Sequence, residues 1–118
     1  LLVNGKLWLI DNGASLYIHH TWANFRARSR GAFPQIKDHV LLRYANALAE
    51  ADIVQSALLT RPLIKQIIAE IPAIWLENEP SFGSVAEHRA AYIEYLCTRL
   101  AAPRAFVEEA QHARAQLV

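Results

Sequence analysis

The stretch that decides the fold is 1–13, which reads LLVNGKLWLIDNG. Two apolar runs, Leu1–Val3 and Lys6–Ile10, lie on either side of Asn4 and Gly5. An Asn-Gly pair tolerates the positive φ that both central positions of a type I′ turn require. The stretch therefore predicts a tight β-hairpin at the start of the chain.

The second apolar run of this hairpin ends on a carboxylate, Asp11, with Gly13 two residues further on. Mg²⁺ is usually bound by one or two carboxylates together with phosphate oxygens and water. The triplet Asp11-Asn12-Gly13 by itself is more typical of an Asx-turn, in which the carboxylate accepts backbone N–H bonds. Joined to the preceding hairpin and to a following helical region, it favours a magnesium site for a nucleotide triphosphate.

Length and composition predict one globular domain, or part of one, over 1–118. Hydrophobic residues make up 53% of the chain and charged residues 19%, which is a globular composition. The net charge of +1 argues against a nucleic-acid surface, and the apolar runs are too short for a membrane span. Cys97 is the single cysteine, so no internal disulfide is possible and a cytoplasmic location is the default.

The rest of the chain is predicted to be helical, which makes the fold mainly α: an N-terminal hairpin followed by five or six helices. Helix formers and capping signals place the expected helices at 36–42, at 44–51 with an extension toward 59, from Thr60 to Glu70, from Ser84 to about Ala101, and from Pro103 onward.

Two of these helices carry specific signals. Thr60 is a candidate N-cap, and Ser84 with Glu87 forms a candidate capping box. The spacing predicts buried stripes, which consist of Ile64, Ile67, Ile68 and Ile71 on the first helix and of Val85, His88 in part, Tyr92, Leu96 and Leu100 on the second.

Several separated segments together resemble the C-terminal part of HipA-like kinases. The first is LLVNGKLWLIDNGASLYIHHTW (1–22), and the later ones are FPQIKDHVLL (33–42), ALAEAD (47–52), EHRAAYIEYL (87–96) and RLAAPRAFVEEA (99–110). The resemblance extends over nearly the whole chain. The IDNG motif alone is less specific, because it also resembles the metal-binding motif of phosphoinositide kinases and other kinase-like folds.

The resemblance implies the C-terminal lobe of an ATP-dependent phosphotransferase that acts on a protein Ser or Thr hydroxyl. Asp11 corresponds to the metal-binding aspartate of that family, and it would bind the Mg²⁺ of ATP. Gly13 would supply backbone freedom behind it, while Asn12 stands where protein kinases have Phe. The glycine-rich loop, the nucleotide-binding lysine, the catalytic aspartate and the second metal-binding Asn are expected before Leu1, in an N-terminal lobe, so this part alone is expected to be inactive.

The histidines are weaker candidates than Asp11 for a functional site. His19 and His20 are adjacent, so their side chains diverge and a shared metal is disfavoured. One of them would instead hydrogen-bond near the Asp11 loop, or the pair would pack that loop. Asp38 with His39 resembles the metal pair of phosphohydrolases, but that site needs further ligands, and an ordinary helix-face histidine is the simpler interpretation.

Basic and aromatic residues are assigned structural roles. Arg26, Arg28 and Arg30 are expected in an exposed loop. The less favoured alternative is that they form, with Lys37 and Arg43, a basic rim for phosphate or an acidic peptide. Trp8, Trp22 and Trp75 are expected to pack in the core or against loops. A non-catalytic helical interaction module remains the second hypothesis for the whole chain. The phosphoryl acceptor and any antitoxin-like partner are not identified by the sequence.

Overall fold

The computed structural model describes residues 2–8 and 15–117, and this part of the chain is mainly helical, as the sequence predicts. Two-residue strands precede five α-helices. The strands are β1 (Leu2–Val3) and β2 (Lys6–Leu7), and the helices are α1 (Phe25–Arg28), α2 (Leu48–Leu58), α3 (Arg61–Ala69), α4 (Val85–Leu100) and α5 (Ala105–Ala115). Short 3₁₀ turns lie at Ile18–His20, Pro34–Asp38, Leu42–Tyr44 and Ala73–Trp75.

The first two strands pair in an antiparallel arrangement around a left-handed turn. Leu2 lies opposite Leu7, and the turn residues Asn4 and Gly5 have φ values of 50° and 74°. The pairing covers two residues on each strand, which is too little to support the predicted hairpin as a layer of the fold. The end of the predicted second strand, at 9–10, lies outside the described residues.

Both predicted helix caps are confirmed. The Thr60 hydroxyl accepts a hydrogen bond from the Leu63 amide at 3.4 Å, and the Ser84 hydroxyl accepts one from the Glu87 amide at 3.2 Å. The Glu87 carboxylate accepts from the Gly83 amide at 2.8 Å, one residue earlier than a capping box requires. These caps can be predicted from the sequence because each involves residues only three or four positions apart.

Replacing Ser84 with Ala is expected to lower the free energy of unfolding by about 1 kcal/mol, because a Glu87 amide at the start of α4 loses its acceptor. Ser56→Ala is the matched control. The Ser56 hydroxyl donates a hydrogen bond to the Ile53 carbonyl within α2, so removing the hydroxyl leaves the backbone hydrogen bonds of the helix intact. Chemical unfolding followed by circular dichroism measures both, and equal losses would contradict the cap assignment.

The middle of the chain departs from the prediction. The helix expected at 36–42 is replaced by two 3₁₀ turns, and His39 between them is extended, with φ −73° and ψ 121°. Pro34 opens the first turn, and the β-branched Ile36 and Val40 are weak helix formers. The next helix begins at Leu48 instead of residue 44, although it does continue to Leu58 as the extension predicted.

The main core cluster lies between the segment before α1 and the middle of α4. Its buried members are Ile18, Trp22, Ala91 and Tyr95, and Phe25, Phe82, Tyr92 and Leu96 pack against them. The stripe on α4 therefore passes through His88, Ala91 and Tyr95, which differs from the predicted set.

The remaining helices pack around α4 and α5. α3 contacts α4 and buries Ile64 and Ile68. Ile67, which was predicted in the same buried stripe, is 51% exposed, so the prediction is wrong for this residue. α5 packs against α2 and against the turn Pro34–Asp38. It begins two residues after Pro103. Within the described ranges, no helix has the length and apolar character needed to cross a membrane.

Candidate functional site

The predicted ligand and nucleotide-binding residues, Asp11 and Gly13, lie outside the described residues, which resume at Ser15. The structure does describe the segment that follows them. Ile18 is completely buried and Trp22 is 5% exposed, and both pack against α4. The chain is therefore fixed to the helical scaffold from seven residues after Asp11.

Trp22 is the centre of an aromatic cluster that holds this segment. Its ring meets the rings of Phe25, Phe82, His88 and Tyr92 edge to face, at centroid distances of 5.6, 5.0, 5.0 and 4.7 Å. Edge-to-face contact is the favoured geometry between aromatic rings, and such pairs add to the stabilisation that comes from burial. The cluster joins the segment 18–22 to the first turns of α4.

His88 is buried within this cluster, contrary to the expectation that it would be partly solvated. Its ring stacks between Phe82 and Tyr92, with centroid distances of 4.7 and 5.2 Å. Nδ1 lies 3.2 Å from the Leu76 carbonyl oxygen, and because a carbonyl only accepts, Nδ1 is the protonated nitrogen. His88 thus ties α4 to the turn that follows α3, which is a structural role.

Glu79 and Tyr92 form the polar edge of the cluster. Hydrogen bonds from Ser81 lower the pKa of the Glu79 carboxyl, and the nearby His88 adds to this effect. Burial raises the pKa of the Tyr92 hydroxyl, and the negative charge of Glu79 raises it further. Both effects move the pKa values of Glu79 and Tyr92 further from neutral pH.

The other histidines are not gathered into a site. His19 and His20 lie on an exposed 3₁₀ turn with their rings 4.1 Å apart, so neither packs in the core. His39 is exposed, and its Nδ1 accepts a hydrogen bond from the Leu41 amide at 3.2 Å. Among the described residues, no three His, Cys, Asp or Glu side chains come close enough to hold a metal ion.

Two of the three arginines predicted in an exposed loop, Arg26 and Arg28, lie on helix α1 instead. Arg26 forms a two-point ion pair with Glu94 of α4, at 2.6 and 3.1 Å, which raises the pKa of the guanidinium group. Arg28 donates to the Thr21 carbonyl at 2.6 Å, and Arg30 is exposed. Arg26 and Arg28 therefore bind different partners, and these contacts do not gather the arginines into one rim.

A broad groove lies beside this region, and we call it the α2–α5 groove. Its volume is about 1050 Å³, and its walls are the segments 15–17 and 31–36, one face of α2, the end of α4 and the start of α5. The lining is mostly apolar; the charged side chains in it are Arg28, Asp52 and Arg99.

An ion pair beside the groove joins α2 to the residue that precedes α5. Arg104 donates to both carboxylate oxygens of Asp52, at 2.6 and 2.7 Å, and to the Leu100 carbonyl at 3.0 Å. The hydrogen bond to Asp52 raises the pKa of the Arg104 guanidinium group. The partners are 52 residues apart in sequence, so no local pattern predicts them, and the sequence analysis missed both the pair and the groove.

The tryptophans separate into two classes. Trp22 is buried, as predicted, whereas Trp8 is 56% exposed and Trp75 is 75% exposed. Trp8 and Trp75 are therefore not core residues, and Trp75 lies on a short 3₁₀ turn between α3 and α4.

Comparison with known proteins adds no relative. No protein-family model, no curated protein and no solved structure matches this chain.

Proposed function

We propose that this chain is the C-terminal lobe of a HipA-like, ATP-dependent phosphotransferase in which Asp11 binds the Mg²⁺ of the nucleotide. The observation that carries the proposal is the resemblance of 1–22 to that family, because it covers the metal-binding motif and the segment behind it. The mainly helical scaffold is consistent with a C-terminal lobe.

The described residues that follow Asp11 are attached to α4. A carboxylate holds Mg²⁺ in near-octahedral geometry only if its backbone is held in place. The antiparallel turn at Asn4 and Gly5 lies on one side of the loop in sequence, and the buried residues Ile18 and Trp22 lie on the other. Of the two, only the C-terminal side is attached to the helical scaffold among the described residues, through Ile18 and Trp22.

The chemistry follows from charge. Phosphoryl transfer depends on positioning and on neutralising the oxygens of the transferred group, and bound Mg²⁺ supplies much of that neutralisation. Asp11 contributes a negatively charged oxygen donor of the class that Mg²⁺ prefers. Gly13 allows the backbone to turn away behind it. The acceptor in this proposal is a protein Ser or Thr hydroxyl, and the N-terminal lobe supplies the other nucleotide contacts.

Nucleotide binding tests the proposal. In the intact protein, titration of a fluorescent ATP analogue is expected to show tighter binding with Mg²⁺ than without it. Asp11→Asn removes the negative charge, and it is expected to weaken the Mg²⁺-dependent binding by about tenfold or more. Asp38→Asn is the matched control, since Asp38 is exposed on a 3₁₀ turn that is distant from Asp11 in sequence. Equal affinities in the two variants would contradict the role of Asp11.

A non-catalytic helical interaction module is the second candidate, and exposed apolar side chains on α2 favour it. Ile53, Val54 and Leu58 are 67%, 55% and 60% exposed, and none of the α2 residues is buried. This candidate predicts no nucleotide binding at all. The sequence before Leu1 also discriminates, since a kinase requires an Asp followed about five residues later by an Asn.

A further inference from the structure

We propose that the α2–α5 groove binds an apolar, acidic peptide segment of a protein partner. The proposal does not depend on Asp11 or on nucleotide, because no residue that it uses belongs to the predicted metal site. It rests on three properties of the groove: apolar side chains that are only partly covered, two arginines that form no ion pair with the described residues, and an open shape.

The apolar surface comes from separate parts of the chain that converge on the groove. Leu16, Phe33 and Leu59 line it and are 39%, 43% and 37% exposed. Phe106 of α5 and Leu100 of α4 also line the groove. An apolar surface contributed by several elements favours binding far more than single exposed residues do, because one ligand would cover all of them at once.

The charge of the groove selects for an acidic partner. Asp52 is neutralised by its two hydrogen bonds with Arg104. Arg28 donates to the Thr21 carbonyl and Arg99 to the Gly31 carbonyl, and neither carbonyl carries a net charge. Each guanidinium group has five N–H donors. A carboxylate of a bound ligand would therefore meet two positive charges on the lining.

The open shape favours a peptide over a small molecule. Small-molecule sites occupy about 300–1,000 Å³ and enclose most of the ligand surface. The α2–α5 groove has a volume of about 1050 Å³, and Leu16, Phe33 and Leu59 on its walls remain roughly 40% exposed. A peptide that inserts apolar side chains and leaves its backbone in water suits such walls, as when an amphipathic helix lies in a groove between helices.

Selection from a random peptide library displayed on phage tests the proposal, with the intact protein immobilised and no nucleotide present. The enriched peptides are expected to combine apolar residues with Asp or Glu, and a synthetic copy of one of them is then titrated by fluorescence anisotropy. Enrichment of basic peptides, or no enrichment, would overturn the proposal.

Two matched pairs of variants locate the binding. Leu59→Ser is expected to weaken binding of the synthetic peptide by about tenfold, whereas Leu58→Ser leaves it unchanged, because Leu58 does not line the groove. Arg28→Glu is expected to weaken it similarly, while Arg30→Glu, outside the lining, has little effect. Circular dichroism verifies that each variant is folded, and equal effects within either pair would contradict the groove as the site.

Two other occupants are outcomes of the same experiment. If sedimentation shows that the chain is a dimer that Leu59→Ser dissociates, a second copy fills the groove and the proposal fails. If dodecanoate binds and no peptide binds, the groove takes a small organic acid and the proposal also fails. Loss of nucleotide binding in Asp11→Asn has no bearing on either result, so the two proposals are tested separately.

Discussion

Replacing Asp11 with Asn in the intact protein is expected to lower the rate of phosphoryl transfer from ATP by roughly a hundred- to a thousandfold. This is the scale of loss when one group that stabilises transition-state charge is removed from an enzyme. The amide keeps the size and shape of the carboxylate but loses the negative charge that holds Mg²⁺. Transfer of labelled phosphate from ATP, measured at saturating nucleotide, separates this loss from weaker binding.

The control for this prediction keeps the same chemical change at another site. Asp38→Asn is expected to retain the wild-type rate, because Asp38 is exposed and distant in sequence from the Asp11 loop. The thermal unfolding temperature of Asp11→Asn is expected to match that of the wild type. A variant with full activity would refute the assignment, and a large loss of stability would show that Asp11 acts in folding instead.

Trp22→Ala is expected to lower the free energy of unfolding by about 3–5 kcal/mol, which is the usual cost of truncating a buried aromatic residue. The cavity would remove four edge-to-face contacts at once, and it would leave Ile18 without one side of its packing. The measurement is urea unfolding followed by far-ultraviolet circular dichroism, since tryptophan fluorescence changes with the substitution itself.

Trp75 provides the matched control for Trp22. It is 75% exposed, so Trp75→Ala is expected to change the free energy of unfolding by no more than about 0.5 kcal/mol. Equal destabilisation by the two substitutions would contradict the placement of Trp22 at the centre of the core. Because the cluster fixes the segment behind Asp11, Trp22→Ala is also expected to weaken nucleotide binding under conditions in which the variant is still folded.

The features predicted correctly from the sequence are those whose causes are local. The caps at Thr60 and Ser84 depend on a hydroxyl and an amide three residues away, and both are present. The mainly helical class likewise follows from residue preferences summed over many positions. These signals need no knowledge of how distant segments meet.

The features that were missed depend on tertiary contacts. Trp22 and Trp75 are the same residue type and both lie outside the α-helices, yet the contacts of Trp22 with α4 bury it. Asp52 meets Arg104 only because α2 packs beside α5. The helix expected at 36–42 fails for a mixed reason, since Pro34 and β-branched residues weaken it and packing against α5 then fixes the 3₁₀ turn.

The most direct test of the central claim is to detect the bond between Asp11 and the metal ion of the nucleotide. The intact protein, labelled with ¹³C at its aspartate carboxyl groups, is loaded with Mn²⁺ and a non-hydrolysable ATP analogue, and the ¹³C coupling to the ion is recorded by electron–nuclear double resonance. The account predicts a coupling typical of direct coordination that disappears in Asp11→Asn and persists in Asp38→Asn. A coupling that survives in Asp11→Asn, or is absent from the wild type, would contradict it.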